Sequence, residues 1–303
     1  AHCFTDYRDL IRCPDVDAVD ISTPNCVHYE IALAAAEAGK PYAVEKPITM
    51  TAAEADRLAA VTKEKGVQSM VCFSYRFKAA ARYARDLVER GMIGDIYHVD
   101  MQYYQAWGLP HCNTPLVWRF EKQYTGSGAL GDLGSHALDL VRFVTGKEYR
   151  RVVSHAGTFV HEREKLDGSG MGKVDVDDFA NYFAEMDGGT AATFRITRFG
   201  YGRGNYQTME IYGSRGAIQY SLDHTPDADE IEICIGEANA EAHVFTKLPI
   251  PAKFKVDQMQ SFADLLNGKA DGKAATIEDG RVNQHVMDAV LRSAETGAWE
   301  TID

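Results

Sequence analysis

The stretch Ala18-Val19-Asp20-Ile21-Ser22-Thr23-Pro24-Asn25 carries a mostly apolar run into a polar turn, and residues 28–38 then repeat at helical spacing. Ile31, Ala34, Ala35 and Ala38 fall on one face of that helix, and Gly39 stands where a helix ends in the left-handed conformation. The pattern recurs twice. Tyr42-Ala43-Val44 leads into Glu45-Lys46-Pro47, and Thr51 with Glu54 makes a capping-box pattern. The helix it opens buries Ala55, Leu58, Ala59 and Thr62 and stops at Gly66. A third apolar run, 67–74, meets Tyr75-Arg76-Phe77. Continuous apolar strands alternating with helices predict a parallel sheet covered on both faces, so the chain opens as an α/β protein.

After Phe77 the periodicity changes. A helix over 79–90 precedes a strand, Ile96–Tyr104, and beyond residue 150 strands come at short spacing. Phe179–Met186 and 190–198 flank Asp187-Gly188-Gly189, a hairpin signal, and 209–212 and 217–222 flank Ser214-Arg215-Gly216. Residues 230–236 and 243–248 read as further strands, 257–266 and 279–295 as helices. These make a second domain, 77–303, with a large and mostly antiparallel sheet, after a first domain, 1–76, with the parallel one. Gly168-x-Gly170-x-Gly172 reads as a flexible loop, and no strand, Gly-rich turn and helix of a phosphate loop precede Ala18.

The 303 residues are 45% hydrophobic and 25% charged, enough for two buried cores. A net charge of -12 argues against nucleic acid or an anionic membrane as the main partner. It leaves room for an anionic cofactor held locally by helix N-termini. No apolar run approaches the roughly 20 residues that cross a bilayer, and the N-terminus lacks a secretory pattern. Cys3, Cys13, Cys26, Cys72, Cys112 and Cys234 are scattered without a Cys-x-x-Cys pair, as free thiols of a cytoplasmic protein would be.

Ligands of open parallel sheets sit beyond the carboxyl ends of the strands, where Thr23-Pro24-Asn25, Glu45-Lys46-Pro47 and Tyr75-Arg76-Phe77 all fall. Lys46, at the mouth of a buried strand, either eases deprotonation of a substrate hydroxyl or pairs with Glu45. In Gly128-Ala-Leu-Gly-Asp132-Leu-Gly-Ser-His136-Ala-Leu-Asp139, Asp132 and His136 lie four apart on a predicted helix. A carboxylate beside an imidazole orients a general acid/base, although most such pairs are plain helix contacts. Asp139 would add a further hydrogen bond. A metal held by Asp132, His136 and Asp139 fits the spacing, but no other His or Cys ligand is near, so no metal is expected. Arg119, in Trp118-Arg119-Phe120, either clamps a phosphate or carboxamide or stacks on an aromatic. His224 belongs with the histidines that form no cluster.

Taken together the motifs resemble the Gfo/Idh/MocA family, oxidoreductases named for glucose–fructose oxidoreductase, inositol dehydrogenase and a rhizopine-catabolism protein. The resemblance runs from Phe4 to Ile302. It rests on the segment 15–25 with His28, on Glu45-Lys46-Pro47, on Trp118-Arg119 with the glycine-rich stretch 126–139, and on Glu278-Asp279-Gly280. It implies a Rossmann domain, lacking its N-terminal portion here, followed by an α/β domain whose open sheet face forms a homodimer or homotetramer. It also implies reversible hydride transfer between NAD or NADP and a sugar or cyclic polyol. By this resemblance Lys46, Asp132 and His136 are catalytic, and Thr23, Pro24, Asn25, His28, Glu45, Pro47, Trp118 and Arg119 line the cofactor. Tyr75 and Arg76 border the substrate. A typical member carries about 60 further residues ahead of Ala1, with the phosphate loop; a chain truly lacking them would bind a dinucleotide weakly. The same residues serve a lyase or glycosidase that uses NAD transiently, and a non-catalytic sugar- or nucleotide-binding relative would keep the fold without the chemistry.

Overall fold

The computed structural model describes residues 2–223 and 229–302, so His224 lies outside the described residues. The first layer holds α1 (Tyr7–Arg12), β1 (Val19–Ile21), α2 (His28–Glu37), β2 (Tyr42–Val44), α3 (Ala52–Glu64) and β3 (Ser69–Val71). The three strands pair in parallel in the order β1-β2-β3. Their side chains share one core with Ile31, Ala32, Ala35 and Ala36 of α2 and Ala55, Leu58 and Ala59 of α3.

Local readings shift in two places. The inward stripe of α2 starts at His28, whose ring is buried, and continues through Ile31, Ala32, Ala35 and Ala36. Ala34 is therefore half-buried and Ala38 exposed, contrary to expectation. The Thr51 hydroxyl accepts from the Glu54 N–H at 3.3 Å, but the Glu54 carboxylate accepts from Met50 N–H at 2.9 Å instead of closing the box.

The chain leaves β3 through a 3₁₀ turn, Ser74–Phe77, into α4 (Ala79–Glu89). Then come β4 (Ile96–Tyr104), α5 (Lys122–Thr125), a π-helical turn Leu130–Gly134, α6 (Ser135–Thr145), β5 (Tyr149–Gly157), β6 (Glu162–Glu164) and β7 (Met171–Lys173). Next are β8 (Phe179–Met186), β9 (Thr190–Thr197), β10 (Tyr206–Gly213), β11 (Gly216–Leu222), β12 (Asp229–Ile235), α7 (Glu237–Ala242) and β13 (Thr246–Lys247). The chain closes with α8 (Gln258–Leu266), α9 (Ile277–Thr296) and β14 (Glu300–Thr301).

Among the described residues nine strands form one sheet in the order β13-β12-β11-β10-β4-β9-β8-β5-β14. Only the central β4–β9 pair is parallel; the others are antiparallel. One face is apolar: Val99, Met101, Phe194, Ile196, Met209 and Ile211 pack with Ala80 and Leu87 of α4, Leu138 and Val141 of α6, and Val286 and Val290 of α9.

The β8–β9 hairpin turns at Asp187-Gly188-Gly189, where the two glycines take φ of 72° and 76° that a side chain would resist. The glycine cluster 168–172 is not a free loop: Gly172 pairs with Arg163 in the β6–β7 ribbon. The strand expected over 243–248 shrinks to β13, because His243 is the left-handed C-cap of α7. Helix α9 begins at Ile277, ahead of the expected residue 279, because Thr276 and Asp279 close a true capping box. It also serves both layers: Ala275 bridges Val71, and Ala275 and Ile277 enter the core of the small sheet. Among the described residues no helix is long and apolar enough to cross a membrane.

Candidate active site

Two strand-end turns open on one cleft. Ser22, Thr23, Pro24 and Asn25 after β1, His28, and Glu45 and Lys46 after β2 face Trp118, Arg119, Thr125 and Asp132 across a cavity of about 320 Å³. Arg119 and Asp132 also border a second cavity of about 390 Å³ with Gln105, Trp107, Thr114 and Val117. The Asn25 amide donates to the Thr125 carbonyl (3.2 Å) and hydroxyl (3.3 Å), tying the walls together. His28 stands between the Pro47 and Thr23 carbonyls, with Nδ1 at 2.8 Å and Nε2 at 2.7 Å. Burial lowers its pKa, and a neutral ring has one N–H to give between them. Pro47 thus acts through its carbonyl and does not line the cleft.

The charges meet at Asp132. Lys46 Nζ donates to the Asp132 carbonyl at 2.6 Å and to Oδ1 at 3.2 Å, and does not pair with Glu45, whose carboxylate accepts from the Lys46 backbone N–H. An ammonium has three protons to donate, so one remains for a ligand oxygen. Arg198 Nη2 reaches Asp132 Oδ2 at 3.4 Å, and Arg119 Nε stands 3.9 Å from Oδ1. Burial opposes the charge on Asp132, but Lys46, Arg198 and Arg119 more than offset it and hold the carboxyl well below the usual range. It stays ionised at any working pH.

His136 lies behind this pair and forms no hydrogen bond among the described residues. Its ring meets Tyr75 edge-on at 4.8 Å and Phe73 at 6.2 Å, and its Nδ1 is buried without a partner. Burial, then the Lys46 charge, pushes its pKa well below the ordinary value, with Asp132 opposing. The ring is therefore neutral near pH 7. The expected imidazole–carboxylate hydrogen bond is absent because both Asp132 oxygens are turned toward cations.

Asp139 does not reach His136 either. Its oxygens accept from Arg76 Nη2 at 2.6 Å and Nε at 2.8 Å. Arg76, expected to border the substrate, is instead buried in an ion network with Asp139 and Asp279 and lies over the Phe143 ring. Among the described residues no group of His, Cys, Asp and Glu could hold a metal. Tyr75 packs against the His136 ring, with its hydroxyl bonded to Tyr103 (2.6 Å) and Asn205 (3.2 Å) at the edge of a third cavity of about 830 Å³.

Two residues escaped the sequence reading. Asp177 accepts from Gly128 N–H (2.6 Å) and Leu130 N–H (2.7 Å), anchoring the stretch that presents Asp132. A Cβ on Gly128 would come 1.8 Å from the Asp177 carbonyl, so only glycine allows this approach. Arg198 continues the inward phase of β9, where Thr190, Ala192, Phe194 and Ile196 are buried. A charge at an inward position of an apolar alternation was the signal that could have found it.

The polar groups suit the nicotinamide side of a dinucleotide: the Glu45 carboxylate to accept from a ribose and the Thr23 hydroxyl to bond it, and Arg119, stacked 4.3 Å over Trp118 and half-exposed, to donate to a carboxamide or phosphate. Comparison with known proteins agrees. Residues 1–73 match the oxidoreductase family with an NAD-binding Rossmann fold, and residues 81–219 match the GFO/IDH/MocA C-terminal domain. Levoglucosan dehydrogenase of Pseudarthrobacter phenanthrenivorans is 32% identical over 97% of this chain and 82% of its own. The 1,5-anhydro-D-fructose reductase of Ensifer adhaerens is 28% identical over 99% of this chain and 84% of its own. A solved levoglucosan dehydrogenase in complex with NADH and L-sorbose superposes with a TM-score of 0.88 at 33% identity, covering 99% of this chain and 83% of that one.

Proposed function

Because the chain belongs to the GFO/IDH/MocA family of NAD-binding oxidoreductases, we propose that it oxidises or reduces a sugar or cyclic polyol, with Lys46, Asp132 and His136 as catalytic residues. The observation that carries this reading is the Lys46–Asp132 pair at the cleft, with a donor of the ammonium left over. When bound, the nicotinamide supplies the hydride acceptor or donor. Lys46 would hold the reacting oxygen and stabilise it as its proton leaves. His136, neutral and beside the Lys46 charge, would take that proton on oxidation and return it on reduction. Asp132 orients Lys46 and balances its charge. Thr23, Pro24, Asn25, His28, Glu45, Trp118 and Arg119 would receive the cofactor, with Tyr75 on the substrate side behind His136.

Relatives named for levoglucosan and 1,5-anhydro-D-fructose support an anhydrosugar as the first class to try. The test is the absorbance of reduced nicotinamide with NAD and levoglucosan, with NADH and 1,5-anhydro-D-fructose, and with a panel of sugars and inositols. Turnover that His136→Asn reduces by about 10²–10⁴-fold, with the fold intact by circular dichroism, supports it. A variant at full rate removes the assignment.

A dimer or tetramer would form through the outer face of the large sheet, where Phe183 of β8 is exposed by 59% and the loop residue Phe159, exposed by 58%, stacks on Phe179. Phe183→Glu would then lower the mass seen by light scattering; an unchanged mass, or a monomeric parent, counts against it. Six unpaired cysteines fit a cytoplasmic setting.

A further inference from the structure

One buried side chain touches the walls of both cavities that Arg119 and Asp132 share. Arg198 follows β9 and is fully buried. Its Nη2 donates to the Gly128 carbonyl at 2.8 Å and to Asp132 Oδ2 at 3.4 Å, and its Nη1 donates to the Arg119 carbonyl at 3.2 Å. The guanidinium carbon lies 4.7 Å over the Trp107 ring. The π turn carrying Asp132, the turn carrying Trp118 and Arg119, and the Trp107 segment thus converge on one planar fork.

Three carboxylates surround that charge: Asp132, Asp177 and Asp178. Asp177 spends its oxygens on Gly128 and Leu130 N–H groups, and Asp178 Oδ2 accepts from Phe159 and Val160 N–H at 2.8 and 3.1 Å. Among the described residues Asp132 is the carboxylate that Arg198 actually reaches. Its two oxygens are divided, with Oδ2 toward Arg198 and Oδ1 toward Lys46. A carboxylate without the first contact would turn about its χ2 bond and leave Lys46 fixed by the Asp132 carbonyl alone, with its second anchor lost.

We propose that Arg198 is a positioning residue for hydride transfer: it fixes the Asp132 carboxylate so that Lys46 is held toward the reacting oxygen. The inference rests on the site reading given above. Arg198→Met would remove a buried cation from beside Asp132, Asp177 and Asp178 and endanger the fold, so the decisive variant is Arg198→Lys, which keeps the charge and loses the fork. With NAD and the most rapidly oxidised sugar of the panel, Arg198→Lys should lower kcat by about 10–100-fold, the scale of a small misplacement. KM for NAD should stay within about threefold if the Asp132 contact carries the effect; a larger rise would assign it to the Arg198 bond with the Arg119 carbonyl on the cofactor wall and overturn the proposal. In an Asp132→Asn background the same substitution should change kcat by less than about threefold, because the group it acts through is already gone.

Losses that multiply in the double variant would make the role structural and overturn the proposal. So would full kcat in Arg198→Lys, or its failure to fold. Asp132→Asn at full kcat defeats the site reading and this inference together. A crippled Asp132→Asn beside an unaffected Arg198→Lys defeats this inference alone.

Discussion

Two ion clusters hang on the same helical segment and do opposite work. Around Asp139, Arg76 is gripped by two carboxylates, and Arg142 binds Asp279 and also Glu148 at 2.7 Å. The Arg76 and Asp139 side chains are 5% and 3% exposed, and each guanidinium is matched by acceptors. Around Asp132 one carboxylate faces Lys46, Arg119 and Arg198, and the Lys46 and Asp132 side chains keep 13% and 18% exposure at a cleft. A closed network fixes the seat of α6 and α9 on the small sheet. An open one, with a spare donor facing a cleft, can bind and polarise a ligand. Burial alone does not separate them; unspent hydrogen-bonding capacity does.

That contrast yields its largest test at Lys46. Lys46→Met should lower kcat by about 10²–10⁴-fold while the urea midpoint moves little, because Arg198 and Arg119 still compensate Asp132. Arg76→Met should do the reverse. It leaves Asp139 buried and uncompensated and should cost about 3–5 kcal/mol of stability by urea unfolding, with kcat of the folded enzyme far less affected. A chain in which Arg76→Met abolished turnover at unchanged stability would move Arg76 back to the substrate.

The same contrast explains what the sequence could and could not say. Strand ends carry their turns to one edge in any open parallel sheet, so Thr23, Asn25, Glu45 and Lys46 were legible from apolar runs and punctuation alone. Position along the chain does not reveal which partner a charge will find. Arg76 and Lys46 both follow buried strands, yet one meets Asp139 and Asp279 and the other meets the cleft. The four-residue spacing of Asp132 and His136 suggested a hydrogen bond that a π turn and three competing cations prevent. Arg198 was hidden for the opposite reason. Its partners come from segments far from it in sequence, and only its phase in β9 marked it.

A pH profile sharpens the comparison at His136. An unperturbed imidazole would lose half its unprotonated form near about 6.5. Burial and the Lys46 charge lower the His136 value, so the base form persists below that pH, and oxidation should fall only as pH drops through the lowered value. The logarithm of kcat/KM for sugar oxidation should stay level from pH 7 down through about 6.5. An acid limb at or above that point would mean that the ring is not held dry beside a cation, or is not the base.

The smallest effect belongs to a third cluster, which supplies the comparison's lower bound. Asp56 Oδ1 accepts from Arg281 at 3.1 Å and stands 2.8 Å from His285 Nε2, joining α3 to α9 as Arg76 joins the small sheet to α6. Its side chain is 50% exposed, and Arg281 keeps a second partner in Glu278. Water and salt screen such a pair, and ordering two long side chains offsets much of its attraction. Its depressed pKa, owed first to the His285 hydrogen bond, means that any contribution is present at neutral pH and is lost as the carboxyl protonates in acid. Asp56→Asn should therefore change unfolding free energy at pH 7 by less than about 1 kcal/mol, and by less still in 1 M salt. If it cost as much as Arg76→Met, the number of partners rather than the exclusion of water would set what an ion network is worth in this fold, and the closed cluster at Asp139 would need another explanation for its rigidity.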